Sequence, residues 1–314
     1  MLKVRNLSSG YRNMTIVRDV SFDVDEGQIM GIVGESGCGK STLLKSINLL
    51  PGTGIEIKGG SVEFGGRELT SLCREDMRGI RGRQICMIFQ KPQASMDPIT
   101  KVSEQFYEAV CVHDSKAVRE DVLRRAEDIL EKLHFEDPDR ILSSYPFELS
   151  GGMNQRVALA LAMINSPKLI LADEPTSALD VTVQSQVIRL IREIRDLTGM
   201  SVVIVSHNIN VMSALTDRIG VMYGGMMVEY AARDEIMQRS VHPYTRALLA
   251  SVPVPDGTLP RGIEGKPPSF GESAERCPFA PRCPLAKEEC LCSVPPVTSV
   301  SDTHRVRCHR ASEK

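Results

Sequence analysis

A short apolar run followed by a glycine-rich turn decides the fold: Gln28-Ile29-Met30-Gly31-Ile32-Val33, then Gly34-Glu35-Ser36-Gly37-Cys38-Gly39-Lys40-Ser41. The apolar run predicts a buried parallel strand, and residues 40–50 after the turn have helical character. The turn fits the pattern G-x-x-x-x-G-K-[ST], in which glycines let successive backbone N–H groups face a phosphate. The helix N-terminus adds a partial positive charge. We therefore predict a phosphate-binding loop (P-loop) over residues 34–41, and with it nucleotide binding.

Two side chains of the P-loop have predicted roles of their own. Lys40 can reach the β- and γ-phosphates, and the hydroxyl of Ser41 can bind Mg²⁺. An accidental glycine turn would match the pattern in only about 1 in 100 chains of this length. The residues predicted to contact the nucleotide here are Gly34, Ser36, Gly37, Cys38, Gly39, Lys40, Ser41 and Thr42.

Strands and helices alternate along the first 250 residues. Residues 168–172 and 201–205 are apolar or β-branched runs typical of buried strands, and apolar residues recur at helical spacing over residues 183–197. This alternation predicts an α/β fold with a parallel sheet. Another amphipathic helix is predicted over residues 118–133, with no strand signal near it. We therefore expect a helical insertion between about residues 92 and 146.

The composition excludes several classes of protein. The 314 residues are 42% hydrophobic and carry a net charge of -2, which excludes wholesale disorder and a nucleic-acid binder that relies on bulk positive charge. No apolar run reaches the roughly 18 residues of a membrane-spanning helix, and the N-terminus lacks the apolar core of a secretory signal. We expect a protein made in the cytosol that meets a membrane only through partners.

A second chemical motif is the run Leu169-Ile170-Leu171-Ala172-Asp173-Glu174, an apolar strand that ends in two acids. Consecutive strand residues point in opposite directions, so one acid can face Mg²⁺ while the other faces the attacking water. Asp173 suits the metal and Glu174 the role of general base. Two merely solvated acids are the alternative, and the P-loop in the same chain favours the catalytic interpretation.

The stretch Leu149-Ser150-Gly151-Gly152-Met153-Asn154-Gln155 predicts a second phosphate-binding helix start. Ser150 is a good N-cap, and the two glycines expose backbone N–H groups. Residues 157–164 are apolar almost all round, so the helix should be buried. The simpler alternative is a capped helix. The sharper interpretation is a segment that serves a nucleotide bound by another subunit.

With these motifs the chain resembles the ATP-binding subunits of ABC transporters. Residues 149–153 match the signature motif of that family, and Gln90 in Ile88-Phe89-Gln90 matches the Q-loop glutamine. Residues 177–180 match the D-loop, His207 matches the switch histidine, and Tyr11 resembles the aromatic residue that stacks on adenine. The motifs match in order and spacing over about residues 1–240. One departure is Asn208, where the family usually has Asp.

The resemblance implies a fold and a set of contacts. The fold is a P-loop ABC ATPase core with a parallel sheet, an antiparallel β subdomain and a helical subdomain, over residues 1–250. Gln90 would contact Mg²⁺, the water and the coupling surface, and His207 the γ-phosphate. Ser150, Gly151, Gly152 and Asp180 would complete an ATP site shared between two subunits.

The rest of the chain narrows the resemblance. Residues 251–314 form a predicted linker, rich in Pro and Gly from Val252 to Phe270, and a Cys-rich C-terminal extension. His242-Pro243-Tyr244-Thr245-Arg246-Ala247-Leu248-Leu249 and the extension resemble the corresponding parts of dipeptide, oligopeptide and nickel importers. The extension holds Cys277, Cys283, Cys290 and Cys308, with 5, 6 and 17 residues between them. Four thiolates can hold a [4Fe–4S] cluster or a structural Zn²⁺.

Some members of this importer family carry an iron–sulfur cluster at this place, which favours a cluster here. Zinc and no metal are the alternatives, and Cys292 is a spare cysteine. We expect an ATP-hydrolysing subunit of a di- or oligopeptide importer on the cytoplasmic face of the inner membrane. Its partners would be a second ATPase subunit, two permease subunits and, through the complex, an extracytoplasmic binding protein, with no nucleic acid. Leu49-Leu50-Pro51-Gly52 favours a heterodimer.

Three other functions remain open from the sequence. The first is a nickel or metallophore importer, because the binding protein and the permease choose the substrate. The second is a soluble ABC ATPase of translation or DNA repair, although the chain has neither a second ATPase domain nor a long coiled coil. The third is a cysteine-based metal or redox sensor that uses the ATPase as its output.

Overall fold

The computed structural model describes residues 1–91, 95–175, 181–252, 262–269 and 275–311, and of residues 181–183 only the backbone. The chain forms two compact units, one of Met1–Ser71 with Val205–Lys314 and one of Leu72–Ile204. They are called the first and the second unit below. The boundary between residues 250 and 251 stays a prediction.

The described residues contain twelve strands and eleven α-helices. The strands are β1 (Leu2–Tyr11), β2 (Met14–Val24), β3 (Ile29–Val33), β4 (Ile55–Phe64), β5 (Arg67–Glu68), β6 (Ile85–Ile88), β7 (Leu169–Asp173), β8 (Ser201–Ser206), β9 (Arg218–Tyr223), β10 (Met226–Ala232), β11 (Val297–Ser299) and β12 (Arg305–Arg307). The helices are α1 (Lys40–Ile47), α2 (Arg74–Ile80), α3 (Val102–Cys111), α4 (Arg119–Lys132), α5 (Pro138–Ser143), α6 (Gly151–Met163), α7 (Val181–Thr198), α8 (Ile209–Leu215), α9 (Arg233–Arg239), α10 (Pro243–Ala250) and α11 (Glu288–Cys292).

The first unit contains two groups of strands. One is an antiparallel sheet in the order β2-β1-β4-β5, and the other has the order β11-β12-β10-β9-β3. In the second group β3 and β9 are parallel, with Met30 opposite Arg218, and the remaining neighbours are antiparallel. Every residue of β3 is buried, as its unbroken apolar sequence predicts for a strand covered on both faces. Strand β12 places Val306 of the C-terminal extension opposite Glu229 of β10.

The second unit contains strands β8, β7 and β6 in that order, together with most of the helices. Strands β6 and β7 are parallel, with Ile85 opposite Leu169. Helices α3, α4 and α5 lie between residues 102 and 143, and α3 packs against α4. Helix α4 buries Val122, Ala126 and Leu130, one residue per turn, which is the pattern of an amphipathic helix. Helix α6 is buried on most of its surface, as predicted.

The helix after the P-loop is shorter than the sequence indicated. The prediction extended it to residue 50, but α1 ends at Ile47. Leu49 has a backbone φ of 47°, which lies in the left-handed region and cannot continue a right-handed helix. Pro51 follows directly and would also lack the backbone donor that a helix needs. The apolar pair Leu49-Leu50 therefore belongs to a turn, not to the helix.

The predicted fold class is confirmed in its main features. The parallel strands, the separate antiparallel sheet and the helices between residues 92 and 146 are all present in the residues that the structure describes. In those same residues, no helix combines the length and the apolar character that crossing a membrane requires.

Candidate functional site

The P-loop connects β3 to α1 in the first unit, and its glycines are there for steric reasons. Gly37 and Gly39 have φ values of 79° and 103°, in the region that only glycine enters without strain. A Cβ on Gly34 would lie 2.2 Å from the carbonyl oxygen of Met222. The loop therefore keeps its course only with glycine at these positions.

Lys40 is held inside the P-loop by backbone carbonyls. Its side chain is buried, and its Nζ donates to the carbonyl oxygens of Gly34 at 2.7 Å and of Glu35 at 3.0 Å. The ammonium group thus links Lys40, at the end of the P-loop, to the first two residues of the loop. Burial raises the pKa of the Cys38 thiol, so this cysteine stays neutral beside Lys40. The predicted contacts Ser36 and Gly37 are exposed, whereas Ser41 and Thr42 are half-buried.

The two acids after β7 belong to the second unit and have different surroundings. Asp173 is buried and ends the strand, whereas Glu174 follows it with a φ of 47° and is half-buried. Gln90 lies just beyond β6, and its Nε2 donates to Oε2 of Glu174 at 3.2 Å. The structure therefore brings together two of the three residues predicted to take part in hydrolysis.

The signature segment, residues 149–153, forms the start of α6. Ser150 is the N-cap, and its side chain accepts a hydrogen bond from the N–H of Met153 at 3.3 Å. Gly151 is exposed, and nothing lies within 4 Å of the place where its Cβ would be. Asn154 fixes the segment from below, because its Nδ2 donates to the carbonyls of Pro146 and Leu149 at 2.9 and 3.1 Å. From the sequence, no role was assigned to Asn154, although this residue lies two positions after the glycine pair.

The other residues predicted to contact the nucleotide lie at the ends of strands or just beyond them, where the structure describes them. Tyr11 ends β1 and is 38% exposed, as a side chain that stacks on a ligand requires. His207 is exposed directly after β8. Asn208, the departure from the family, is the N-cap of α8 and accepts from the N–H of Asn210 at 3.0 Å. Asp180 and the other D-loop residues lie outside the described residues.

Two further residues contact the P-loop that no local pattern could indicate. Arg282, in the C-terminal extension, pairs with the carboxylate of Glu35 at 2.6 and 3.0 Å. The hydroxyl of Tyr244 accepts a hydrogen bond from the N–H of Glu35 at 3.0 Å. Glu35 occupies a position that the P-loop pattern leaves unspecified, and Arg282 is 247 residues away in the sequence. Nothing in the sequence connects the two.

The cysteines of the extension are neighbours without forming a metal-binding shell. The N–H of Cys277 donates to the carbonyl of Cys290 at 3.1 Å. Burial raises the pKa of Cys277 to about 11, and Cys290 and Cys308 add to the rise. Among the residues with described side chains, no three or more His, Cys, Asp or Glu are grouped so that they could hold a metal ion. The four predicted ligands lie near one another, but their sulfur atoms do not surround a common metal position.

Comparison with known proteins identifies the family. Residues 17–177 match the family model of ABC transporters. The chain belongs to the ABC transporter family. Residues 228–290 match a second model, that of the C-terminal region of oligopeptide/dipeptide transporters. As a member of this family the chain is an ABC-type ATPase, with ATP as its substrate and Mg²⁺ as its cofactor.

Relatives with curated descriptions match along almost the whole chain. A probable peptide ABC transporter ATP-binding protein of Sinorhizobium fredii is 41% identical, over 100% of this chain and 96% of the relative. The dipeptide transport ATP-binding protein DppD of Bacillus subtilis is also 41% identical, over 98% of this chain and 94% of the relative. A solved dimeric ATP-binding cassette bound to ADP and Pi has a TM-score of 0.66 and 29% identity, and the match covers 74% of this chain and 99% of the cassette.

Proposed function

We propose that this chain is the ATP-hydrolysing subunit of an importer for di- or oligopeptides. The observation that carries the proposal is the full-length similarity to peptide and dipeptide transport ATP-binding proteins, which includes the C-terminal region over residues 228–290.

Glu174 is the proposed general base. Its carboxylate follows the buried strand β7 and accepts a hydrogen bond from Gln90 at 3.2 Å, which orients the group that would take the proton of the attacking water. Gln90 is a positioning residue for this carboxylate, and its amide oxygen is available to the same water. The pair supports in-line attack of water on a γ-phosphate.

Asp173, Ser41 and Gln90 are the proposed Mg²⁺ ligands, because carboxylate, hydroxyl and amide oxygens are the donors that Mg²⁺ prefers. When bound, Mg²⁺ neutralises charge on the phosphate oxygens. Lys40 supplies a second positive charge, and its present bonds to two carbonyls can be exchanged for bonds to phosphate oxygens. His207 is the proposed contact to the γ-phosphate, and Tyr11 the adenine-stacking residue.

The signature segment is proposed to act on the nucleotide of a partner subunit. The exposed Gly151 at the start of α6, with open space around it, leaves room for a phosphate at the helix N-terminus. Ser150, Gly152 and Asp180 would complete this contact. A second ATPase subunit is therefore a required partner, and the turn at residues 49–52 favours a related chain instead of an identical one.

The permease subunits are proposed to bind at a groove in the second unit. A cavity of about 470 Å³ lies beside β6 and α6 and is lined on one side by Met87, Phe89 and Met96, close in sequence to Gln90. The lining also includes Arg78, Arg81 and His113, and such a mixed groove next to the Q-loop suits an amphipathic helix of a membrane subunit. With such partners the chain would work at the cytoplasmic face of the inner membrane, and an extracytoplasmic binding protein would be a partner through the complex.

The four cysteines of the extension are proposed ligands of a [4Fe–4S] cluster, with zinc as the alternative. Four nearby thiols are the right donors, but the raised pKa values of Cys277, Cys283 and Cys308 mean that a metal must displace their protons and draw the side chains together. Protein purified without oxygen should contain about four irons per chain, and Cys277→Ser should remove them, whereas Cys292→Ser should not. One zinc and no iron would replace the cluster by a zinc site.

The import function is tested in the assembled transporter. The full chain is co-purified with its second ATPase subunit and permease subunits, placed in liposomes, and supplied with binding protein. Binding protein loaded with a dipeptide or oligopeptide should raise ATP hydrolysis several-fold, and Ni²⁺-loaded or empty binding protein should not. Stimulation by nickel alone would assign a metal importer. Full activity of the isolated chain, indifferent to the other subunits, would contradict transport altogether.

A further inference from the structure

The C-terminal extension reaches the P-loop through one buried arginine. The side chain of Arg282 is 4% exposed and makes a two-pronged ion pair with Glu35. Its Nη1 also donates to the hydroxyl of Tyr223 at 3.0 Å, and its Nε and Nη2 donate to the carbonyls of Glu264 and Ile263 at 2.8 and 2.9 Å. All three guanidinium nitrogens therefore have acceptors, and the geometry of the group is fixed.

An aromatic cluster supports the same contact from the other side. Tyr244 accepts from the N–H of Glu35, and its ring lies 4.5 Å from the ring of Tyr223 and 5.4 Å from that of Phe279. Phe279 caps the short turn Ala280–Arg282, in which the N–H of Arg282 donates to the carbonyl of Phe279 at 2.9 Å. Glu35 is thus held at its backbone and its side chain by one continuous, buried group of residues.

A second contact joins the extension to the other end of the P-loop. Pro278 packs against Gly224, so closely that a Cβ on this glycine would lie 2.7 Å from Cβ of Pro278. The next residue, Gly225, donates its N–H to the carbonyl of Cys38 at 3.1 Å. The extension therefore supports the P-loop at two points, directly at Glu35 and through one intervening turn at Cys38.

We propose that Arg282 is a positioning residue for ATP binding, which makes the affinity of the P-loop for ATP depend on the C-terminal extension. The inference rests on the proposed ATPase function, and it adds a residue outside the ATP site that regulates ATP affinity. The ion pair neutralises a carboxylate that would otherwise repel the phosphates of the nucleotide from within the P-loop. The backbone of Glu35 is held separately, because its N–H donates to Tyr244 and its carbonyl accepts from Lys40.

The position of Arg282 in the sequence connects this control to the cysteines. Arg282 directly precedes Cys283 and lies five residues after Cys277, within the turn that the two cysteines flank. A change in the position of this turn would therefore change the contact between Arg282 and Glu35. The extension can therefore report its own state to the nucleotide site without touching the nucleotide.

The test uses the two partners of the ion pair, because they should change ATP affinity in opposite directions. Arg282→Met leaves the carboxylate of Glu35 uncompensated and should weaken Mg-ATP binding about tenfold, more at low salt than at high salt. Glu35→Gln breaks the same ion pair but removes the repelling charge, and should bind Mg-ATP at least as tightly as the unmodified chain. The double variant should bind more tightly than Arg282→Met alone. Equilibrium titration with a fluorescent ATP analogue measures all of them.

The matched control is Arg307→Met. Arg307 is an equally buried arginine of the extension that pairs with Asp19 at 2.7 Å and has no contact with the P-loop in the described residues. This variant should lose thermal stability but keep its ATP affinity. If Arg282→Met and Glu35→Gln both weaken binding, or if Arg307→Met weakens it equally, the contact only supports the fold and the inference is overturned.

The outcomes remain separate from those of the proposed function. An unmodified chain that fails to bind ATP, or an assembled complex that fails to hydrolyse it, would contradict the function itself. An unmodified chain that binds ATP, with an Arg282→Met variant that binds equally well, would contradict only the role of Arg282. If Arg282→Met does not fold, Glu35→Gln decides alone, since weakened binding in that variant contradicts the charge argument.

Discussion

Glu174 lies at a point where the backbone changes direction sharply. Its φ of 47° is in the left-handed region, which costs a residue with a Cβ about 1–2 kcal/mol. The turn separates it from Asp173, which stays buried at the end of β7. Two adjacent carboxylates thereby acquire different surroundings, one buried as a metal ligand needs, the other in contact with Gln90 and partly open to water. This separation supports the assignment of metal ligand and general base.

The corresponding prediction is that Glu174→Gln abolishes turnover without abolishing ATP binding. A positioned general base contributes about 10²- to 10⁴-fold to a rate, so hydrolysis in the assembled complex should fall by that factor. Steady-state phosphate release and equilibrium ATP binding are measured side by side. The control is Glu193→Gln, which removes a carboxylate of the second unit that pairs with the exposed His134. Turnover near normal in Glu174→Gln would exclude Glu174 as the base.

At the scale of single elements, the sequence predicts those features that depend on residues close together in the chain. The strand, turn and helix around the P-loop, the N-cap at Ser150 and the acids after β7 all follow from local spacing. The end of α1 was wrong by three residues, because apolar character at Leu49-Leu50 concealed a left-handed backbone.

Contacts between distant elements were not predictable. Strand β12 pairs with β10 across more than 70 residues, and Arg282 meets Glu35 across 247. Neither contact leaves a periodic or compositional signal, since each depends on one side chain or one short strand. The sequence predicted a metal-binding role for the extension from its cysteines, but it contained no sign that the same segment supports the P-loop.

Helix α10 begins at a buried histidine that should make stability depend on pH. His242 is the N-cap, and its Nδ1 accepts from the N–H of Tyr244 at 3.0 Å. Burial lowers the pKa of His242 from 6.5 to about 4, and the nearby Glu229 opposes the change only partly. Between these pH values the unfolded chain binds a proton that the folded chain does not. The stabilisation is complete above pH 6.5 and is lost as the pH falls towards 4.

The prediction is that His242→Asn removes this part of the pH dependence. Asparagine can still cap the helix but does not titrate. As the pH is lowered from 7 to 4.5, the free energy of unfolding of the unmodified chain, measured by denaturant titration, should therefore fall relative to that of the variant, by up to about 1.4 kcal/mol for each pH unit. A constant difference between His242→Asn and the unmodified chain at all pH values would contradict the assignment.

At the scale of the whole molecule, a single chain offers two different phosphate-binding helix starts. The P-loop before α1 contains a lysine that is held in place, whereas the signature segment before α6 has no basic residue in its first turn. The two helix starts therefore have different roles. The P-loop can bind a nucleotide alone, but the signature segment has only backbone groups and Ser150 to offer, and adds to a site that is already charged. A chain built in this way needs a partner for hydrolysis.

The final prediction is that Gly151→Asp damages the partner's site and not its own chain. An acid in the first turn of α6 suits the helix dipole, and no atom lies within 4 Å of the new Cβ, so the melting temperature should not fall. ATP binding by the isolated chain should also be unchanged. In the assembled complex, however, the new carboxylate would face the phosphates held by the other ATPase subunit, and ATP-dependent dimerisation and hydrolysis should fall at least about tenfold. Ser115→Asp, in an exposed loop of the same unit, adds the same charge and should leave both unchanged. If Gly151→Asp instead weakened ATP binding by the isolated chain, the signature segment would serve its own nucleotide, and the shared site would have to be abandoned.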